Sequence, residues 1–177
     1  MIDSYLWASL FGELFVNCCE EYEDENRDYL DWFDTDDLEL LKSIGCKPRE
    51  FFDFVEDCVG AEGEEPTPES VILITAVRRD YFLVEQKGVE STKVVAPSSL
   101  PAKTAEVDGL VWFPRILAKA EAKLRGEMDE DTMYGCGGDR AFLSKHKIHP
   151  ADFLRVVWAA KGDQSKVLSF VKSGKFE

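Results

Sequence analysis

A mostly α-helical fold is predicted by three features of the sequence. Apolar residues recur at helical spacing along much of the chain, prolines and acids stand where helices begin, and glycines stand where they end. With 177 residues, 45% of them hydrophobic and 32% charged, the chain can bury a core without a metal or a disulfide. We therefore expect a helical bundle, with a short strand or extended segment as an alternative near residues 71–95.

The first half contains four predicted helices. The first begins at a Ser4 cap and carries an apolar stripe formed by Leu6, Leu10, Leu14 and Cys18. A short helix ends at Gly45, and Pro48 occupies the first position of the third. The segment 71–84 is ambiguous, because its TPES start favours a helix whereas its β-branched opening favours a strand. We favour the helix.

Residues 88–108 are rich in Ser, Thr and Pro and predict an extended connector. The connector separates an acidic helical unit at 1–87 from a second helical unit at 109–177. We expect the two units to form one compact domain.

The second half predicts a strongly amphipathic helix over residues 109–126. Its expected buried side is formed by Phe113, Ile116, Leu117, Ala120 and Leu124. Three further helices are predicted to start at Asp139, Pro150 and, through an Asp163 cap, just after residue 163.

A faint internal repeat relates the two halves. A shift of 102 residues aligns residues 37–55 with residues 139–157 without a gap, and five of the 19 positions match. Ordinary composition gives about one match in 15 positions. Two explanations stay open: the chain contains a duplicated helical unit, or two helix, turn and Pro-started helix segments need the same start and stop residues.

Charge is distributed very unevenly. Residues 1–90 contain 24 acids and 7 bases, a net charge of -17, whereas residues 91–177 contain 11 acids and 14 bases, a net charge of +3. Phosphate backbones repel such an acidic protein, so general nucleic-acid binding is not expected. The acidic half favours a basic protein partner.

The most acidic stretch, residues 20–37, contains ten acids interleaved with aromatic residues. These aromatic residues are Tyr22, Tyr29, Trp32 and Phe33. The stretch could bind a basic partner, or it could be a solvated acidic loop that the aromatic residues pin to the core. It lacks the alternating ligands, central glycine and closing glutamate of a calcium loop.

The N-terminus is apolar but has no basic region and is interrupted by Asp3 and Glu13, which fits neither a signal peptide nor a membrane span. Five cysteines, with an adjacent pair and no CxxC spacing, predict reduced thiols, with Cys18 and Cys58 as small core residues. We expect a cytoplasmic protein that does not bind membranes. The oligomeric state is not predicted.

The turn GCGGDR, residues 135–140, is the main candidate for chemistry. Cys136 is a weak candidate for a catalytic nucleophile, because a helix N-terminus stabilises a thiolate. Asp139, the expected cap of the next helix, would oppose that thiolate by its own charge. His146 and His149 have no spacing typical of a Cys–His pair or of metal ligands, so we predict no metal and no cofactor.

An anion-binding site is the alternative function of the same turn. The backbone N–H groups of Gly137 and Gly138 could hold an anion that Arg115, Lys119 or Arg140 neutralises. The turn lacks the Lys-Ser/Thr ending of a nucleotide-binding P-loop. The basic stripe formed by Arg115, Lys119 and Lys123 could equally be a solvated face or be paired internally.

The segments GLVWFPRILAKAEAKLRGEM, YGCGGDRAFL and IHPADFLRVV resemble a bacterial family known as domain of unknown function 5069. The resemblance covers about residues 104–172 and, more weakly, the upstream RRDYFLVEQKG. Family members often carry an Asp-Lys pair where this chain has Ala118 and Lys119, so no role of that acid transfers. The resemblance implies a helical bacterial domain and brings no activity, cofactor or substrate.

Together these features favour a non-enzymatic interaction or accessory protein whose acidic half binds a basic partner. An anion-binding or enzymatic site, formed by the basic stripe and the GCGGDR turn, is the alternative.

Overall fold

The computed structural model describes residues 3–61 and 64–175, and the fold is mostly α-helical, as predicted. The chain forms two compact units, Met1–Glu90 and Ser91–Glu177. None of the described helices is both long and apolar enough to span a membrane.

Within the described residues of the first unit, helix α1 (Trp7–Glu23) packs against each of the other three helices. The four helices are α1 (Trp7–Glu23), α2 (Thr35–Ser43), α3 (Pro48–Gly60) and α4 (Pro68–Val84), with a 3-10 helix at Tyr29–Trp32. The ring of Phe51 lies 5.1 Å from Phe11 and 5.5 Å from Phe15, both on α1. These edge-to-face aromatic contacts form the centre of the core.

The ambiguous segment 71–84 belongs to helix α4. Thr67 caps the helix by accepting a hydrogen bond from the backbone N–H of Ser70, and Pro68 occupies the first helical position. The β-branched residues Val71, Ile74 and Val77 are buried at helical spacing. The β-branched run therefore forms the buried face of a helix and not a strand.

The predicted Ser4 cap is wrong. Helix α1 begins at Trp7, and Leu6 occupies the N-cap position without a side-chain hydrogen bond. Asp3, one residue earlier than Ser4, accepts a hydrogen bond from the backbone N–H of Tyr5 at 2.9 Å. The chain thus makes a turn before the helix starts.

The predicted apolar stripe of α1 is buried only in its second half. Leu14 and Cys18 are buried, whereas Leu6 and Leu10 are 52% and 40% exposed. Aromatic contacts rotate the buried face of the helix toward Phe11 and the residues one turn after it.

Over residues 91–175, the second unit forms a short hairpin and four α-helices. The antiparallel strands β1 (Glu106–Val107) and β2 (Leu110–Val111) precede the helices α5 (Phe113–Arg125), α6 (Gly137–Lys145), α7 (Pro150–Ala160) and α8 (Gln164–Ser173). Helix α7 packs against α5, α6 and α8. The segment predicted as an extended connector also contains a 3-10 helix at Pro97–Ser99 and strand β1.

Helix α5 starts at Phe113, later than predicted, because Trp112 adopts a left-handed conformation with φ 77°. It ends at a Gly126 cap, also left-handed. All five apolar residues predicted to face the core are buried, and so are Lys119 and Lys123. The starts of α3 and α7 at proline and the Asp163 cap of α8 are confirmed.

The internal geometry of the two units corresponds at the offset of 102 residues. Helices α2 and α6 both begin and end 102 positions apart, α1 and α5 end 102 apart, and α3 and α7 start 102 apart. The turns after α2 and α6 each contain a residue with positive φ at the matching position, 69° at Gly45 and 56° at Lys147. The aligned stretch therefore folds in the same way in each unit.

Candidate functional site

A groove of about 560 Å³ lies on the first unit, between one face of α1 and the start of α2. Among the described residues, its lining contains six carboxylates and no lysine, arginine or histidine. The lining residues are Leu10, Glu13, Leu14, Asn17, Cys18, Glu21, Trp32, Asp34, Asp36, Asp37, Glu39 and Leu40. We call this feature the acidic groove.

Helical spacing places the α1 residues of the acidic groove on one face, since they recur three and four positions apart from residue 10 to residue 21. The other wall is fixed by a capping box at the start of α2. The backbone N–H of Asp37 donates to the Asp34 carboxylate at 2.9 Å, and the N–H of Asp34 donates to the Asp37 carboxylate at 3.1 Å. Two of the six carboxylates are therefore held in position by the backbone.

The electrostatic potential in the acidic groove is negative, and two titratable groups respond to it. Burial raises the pKa of the Cys18 thiol to about 12, and the charges of Asp37 and Glu21 add to that effect. Burial also raises the pKa of Asp37, against the lowering effect of its hydrogen bond from the Asp34 N–H. The neighbouring charges of Asp34 and Asp36 raise it further.

The floor of the acidic groove is apolar. Leu14 and Leu40 are buried there, while Leu10 at one edge is 40% exposed. Trp32 is 9% exposed, and its indole N–H has no hydrogen-bond partner in the part of the chain that the structure describes. The acidic groove thus combines an apolar floor with carboxylates that face no cationic side chain of the described lining.

The aromatic residues of the acidic stretch 20–37 pack against Phe52 of α3. The ring centroids of Tyr29, Trp32 and Tyr22 lie 5.0, 5.3 and 6.0 Å from that of Phe52. The aromatic residues therefore pin this stretch to the core, as the solvated-loop interpretation requires. The same anchoring places four of its acids in the lining of the acidic groove.

The GCGGDR turn of the second unit has a different geometry from the one predicted. Asp139 is not the helix cap, because α6 begins at Gly137 and Cys136 occupies the N-cap position. Asp139 is fully buried in the first turn, where its carboxylate accepts hydrogen bonds from the Gly135 N–H at 3.0 Å and the Trp112 indole N–H at 2.9 Å. It points inward because these donors and Lys119 lie there.

Lys119 is the centre of a buried cluster that we call the Lys119 cluster. Its other members are Trp112, Gly135, Cys136 and Asp139. Its ammonium group, on a side chain only 3% exposed, pairs with the Asp139 carboxylate and lies 3.2 Å from the Cys136 sulfur. Tyr134, beside it in the fold, donates a hydrogen bond to the Pro150 carbonyl at 2.8 Å. Burial raises the pKa of Tyr134 well above its ordinary value, and the charge of Asp139 adds to this effect.

The other cations predicted to bind an anion have backbone partners. Arg115 donates to the Pro101 carbonyl at 2.8 Å, and Arg140 donates to the Gly135 carbonyl at 2.6 Å. Arg140 and Lys119 therefore both approach the turn with their charges, and the groups that they meet, the Gly135 carbonyl and the Asp139 carboxylate, belong to the chain itself. Anion binding at this turn stays a prediction.

The two glycines that open α6 differ in their surroundings. A Cβ atom on Gly138 would lie 2.5 Å from the Trp112 ring, whereas one on Gly137 would meet only the Arg140 side chain, at 3.9 Å. Gly138 is thus required for the tryptophan to lie against the helix and reach Asp139. The sequence showed the glycine cluster but not the hydrogen bond between Trp112 and Asp139, which are 27 positions apart.

Both histidines have local roles in packing or capping. His149 is the N-cap of α7, where its Nδ1 accepts a hydrogen bond from the Ala151 N–H at 3.1 Å. The ring of His146 packs on Phe142 with centroids 4.9 Å apart. Within residues 3–61 and 64–175, no group of three or more His, Cys, Asp or Glu side chains is arranged to hold a metal ion.

The chain was compared with known families, curated proteins and solved structures. No match was found among curated proteins or among solved structures. The family resemblance predicted from the sequence motifs is confirmed for the second half. Residues 98–175, which include the hairpin, α5 to α8 and the buried Lys119 cluster, match the family described as Domain of unknown function (DUF5069).

Proposed function

We propose that the first unit binds a basic segment of a partner protein in the acidic groove, and that the protein acts as a non-enzymatic interaction protein. The observation that carries the proposal is the composition of the groove: in the part of the chain that the structure describes, six carboxylates and no cationic side chain surround an apolar floor. Such a surface attracts a partner that presents positive charge around an apolar side chain.

A peptide fits this chemistry better than a metal ion or a nucleic acid. The carboxylates of Asp34 and Asp37 already accept backbone hydrogen bonds in the capping box, and no metal-binding group was found among the described residues. Phosphate groups would be repelled by the lining. An amphipathic helix could place an apolar residue beside Leu10 and direct lysines toward the rim.

A direct test uses a synthetic helix-forming peptide of lysine and leucine at helical spacing, with a matched peptide in which glutamine replaces lysine. Isothermal titration calorimetry should show binding of the basic peptide that weakens as salt rises, because salt screens charges on an exposed surface. Backbone NMR shifts should change at the groove residues of α1 and α2. Equal binding of both peptides, or shift changes confined to other surfaces, would refute the proposal.

Charge reversal inside the acidic groove should weaken binding of the basic peptide about tenfold or more. The variant Glu13→Lys with Glu21→Lys replaces two exposed attractions, each worth about 0.2–1 kcal/mol, with repulsions. Calorimetry on the full chain measures the change in Kd. Circular dichroism checks that α1 still folds.

The matched control is Glu20→Lys with Glu23→Lys. These two acids are exposed on the same helix but do not line the groove, and the change in net charge is identical. The control should retain most of the affinity, with only the loss due to long-range charge. If both variants weaken binding equally, net charge and not the groove is responsible.

Binding is also expected to weaken on acidification, beginning above the ordinary Asp pKa of 3.8, because the pKa of Asp37 is raised by burial and by its acidic neighbours. Protonation of Asp37 removes a negative charge that attracts the peptide. The stability of the folded unit depends on pH in the opposite direction. Because the carboxyl pKa is raised by folding, this group favours the folded unit at low pH, and its contribution is lost as the pH rises through the folded-state pKa.

Carbon-detected NMR titration of the Asp37 carboxyl group measures this pKa with and without the peptide. The bound peptide should lower it, because a cation stabilises the carboxylate. Asp37→Asn should reduce the pH dependence of Kd, whereas Asp28→Asn, which changes an exposed acid outside the groove, should not. An unchanged Asp37 pKa at saturating peptide would contradict the model of binding.

A further inference from the structure

The Lys119 cluster brings an amine and a thiol together in the second unit. The Lys119 nitrogen lies 3.2 Å from the Cys136 sulfur and is held there by the ion pair with Asp139. Asp139 is in turn held by the Gly135 N–H and the Trp112 indole. The two reactive atoms therefore meet in a fixed geometry.

Access to the three groups is unequal. Lys119 and Asp139 are 3% and 0% exposed, whereas Cys136 is half-buried and the next residue, Gly137, is exposed. Cys136 is therefore the more accessible member of the pair for a small oxidant, while Lys119 is shielded from solvent. This arrangement favours reaction at sulfur first.

The other cysteines have different surroundings. Burial raises the pKa of Cys18 and of Cys19 to about 12, and neighbouring acids or thiols add to the effect. Cys46 donates toward the Lys47 carbonyl and the Glu50 carboxylate. In the hydrogen bonds described for the chain, Cys136 is the thiol that receives a bond from a cationic side chain.

The geometry points to Cys136 and Lys119 as a modification site, at which hydrogen peroxide joins the two side chains through one bridging oxygen atom. The first peroxide oxidises the thiol to a sulfenic acid and releases water. The Lys119 ammonium gives a proton to Asp139 and becomes a neutral amine. A second peroxide then removes one hydrogen from the sulfenic O–H and one from the amine as the N–O bond forms, and two waters leave.

The 3.2 Å separation favours the oxygen bridge over a direct nitrogen–sulfur bond. One oxygen bonded to both atoms spans most of this gap, whereas a direct bond would require the buried lysine to move much further. After the reaction Lys119 is uncharged and Asp139 holds the proton, so the buried pair remains neutral overall. The link connects α5 covalently to the start of α6.

The experiment treats the full-length folded protein with hydrogen peroxide and measures the intact mass. We expect a monomer that has gained one oxygen and lost two hydrogens, and that returns to the starting mass with a thiol reductant. Tandem mass spectrometry of a protease digest should find the Lys119 and Cys136 peptides joined. The four other cysteines serve as internal controls that stay unlinked to lysine.

Cys136→Ser should abolish the link, and its effect on folding should be small because serine is nearly isosteric. Lys119→Arg retains the cation but lacks the primary amine, so peroxide should leave Cys136 as a sulfenic or sulfinic acid trapped without a cross-link. Unlinked Lys119 and Cys136 peptides from oxidised wild-type protein would overturn the inference. So would a link that contains no oxygen, or one that persists in Cys136→Ser.

Discussion

Replacing Asp139 with Asn should destabilise the second unit by about 3–5 kcal/mol, because the Lys119 ammonium would remain buried without its carboxylate. The Gly135 N–H and the Trp112 indole donate to different oxygens of Asp139, and Asn has a single acceptor oxygen, so the loss combines the unpaired charge with one lost hydrogen bond. Lys119→Met should cost a similar amount, since it leaves a buried carboxylate without its cation.

The double variant Lys119→Met with Asp139→Asn separates pairing from packing. It removes both charges, so it should be clearly more stable than the sum of the two single losses predicts. Urea unfolding followed by hydrogen exchange and mass spectrometry reports each unit separately. Additive losses would show that the two charges do not stabilise one another.

Gly138→Ala should destabilise the second unit by about 1–3 kcal/mol, because the new methyl group would overlap the Trp112 ring. To relieve the overlap, the indole would have to move away and loosen its hydrogen bond to Asp139. The expected loss is therefore partly steric and partly due to a weakened contact of a buried carboxylate.

Gly137→Ala is the matched control, one position earlier in the same helix turn. Its methyl group meets only the far end of Arg140 at 3.9 Å, so alanine should be neutral or stabilise the helix by up to about 1 kcal/mol. Thermal unfolding monitored by tryptophan fluorescence compares the two variants. If they lose equal stability, the position of Trp112 over Gly138 is not what constrains the turn.

The sequence predicted those features of the fold that depend on neighbouring residues. Pro48 and Pro150 start helices because the fixed proline φ suits the first helical position, and Asp163 caps α8 through a carboxylate two residues before its donor. The buried face of α5 was predicted because an apolar stripe is visible in one helix alone.

Features that depend on distant residues were not predicted. Asp139 looked like a cap because it precedes a helical pattern, but Trp112 and Lys119 lie 27 and 20 residues away and draw its carboxylate inward. The burial of Lys119 followed from the same pairing. The sequence placed Lys119 in the basic stripe of α5. It did not show that this side chain would be buried and paired with Asp139.

The acidic groove was predicted only as a charge excess. The stretch 20–37 contributes four of the six carboxylates, but Glu13 and Glu39 join them only when α1 packs beside α2. Leu10 was expected in the core and lies at the edge of the groove instead, because Phe11 and Phe15 turn the helix toward α3. Packing of large side chains decided which leucine remained exposed.

Residues 91–95, which precede the 3-10 helix of the second unit, determine how far that unit can be truncated from its N-terminal side. The Ser91 hydroxyl donates to the Glu127 carboxylate at 2.8 Å, and the Val95 N–H donates to the Glu127 carbonyl at 2.8 Å. The family match begins at residue 98, after both contacts. A chain shortened to the family match would lose both donors to Glu127, so a truncation that keeps these contacts has to begin at Ser91, where the second compact unit begins.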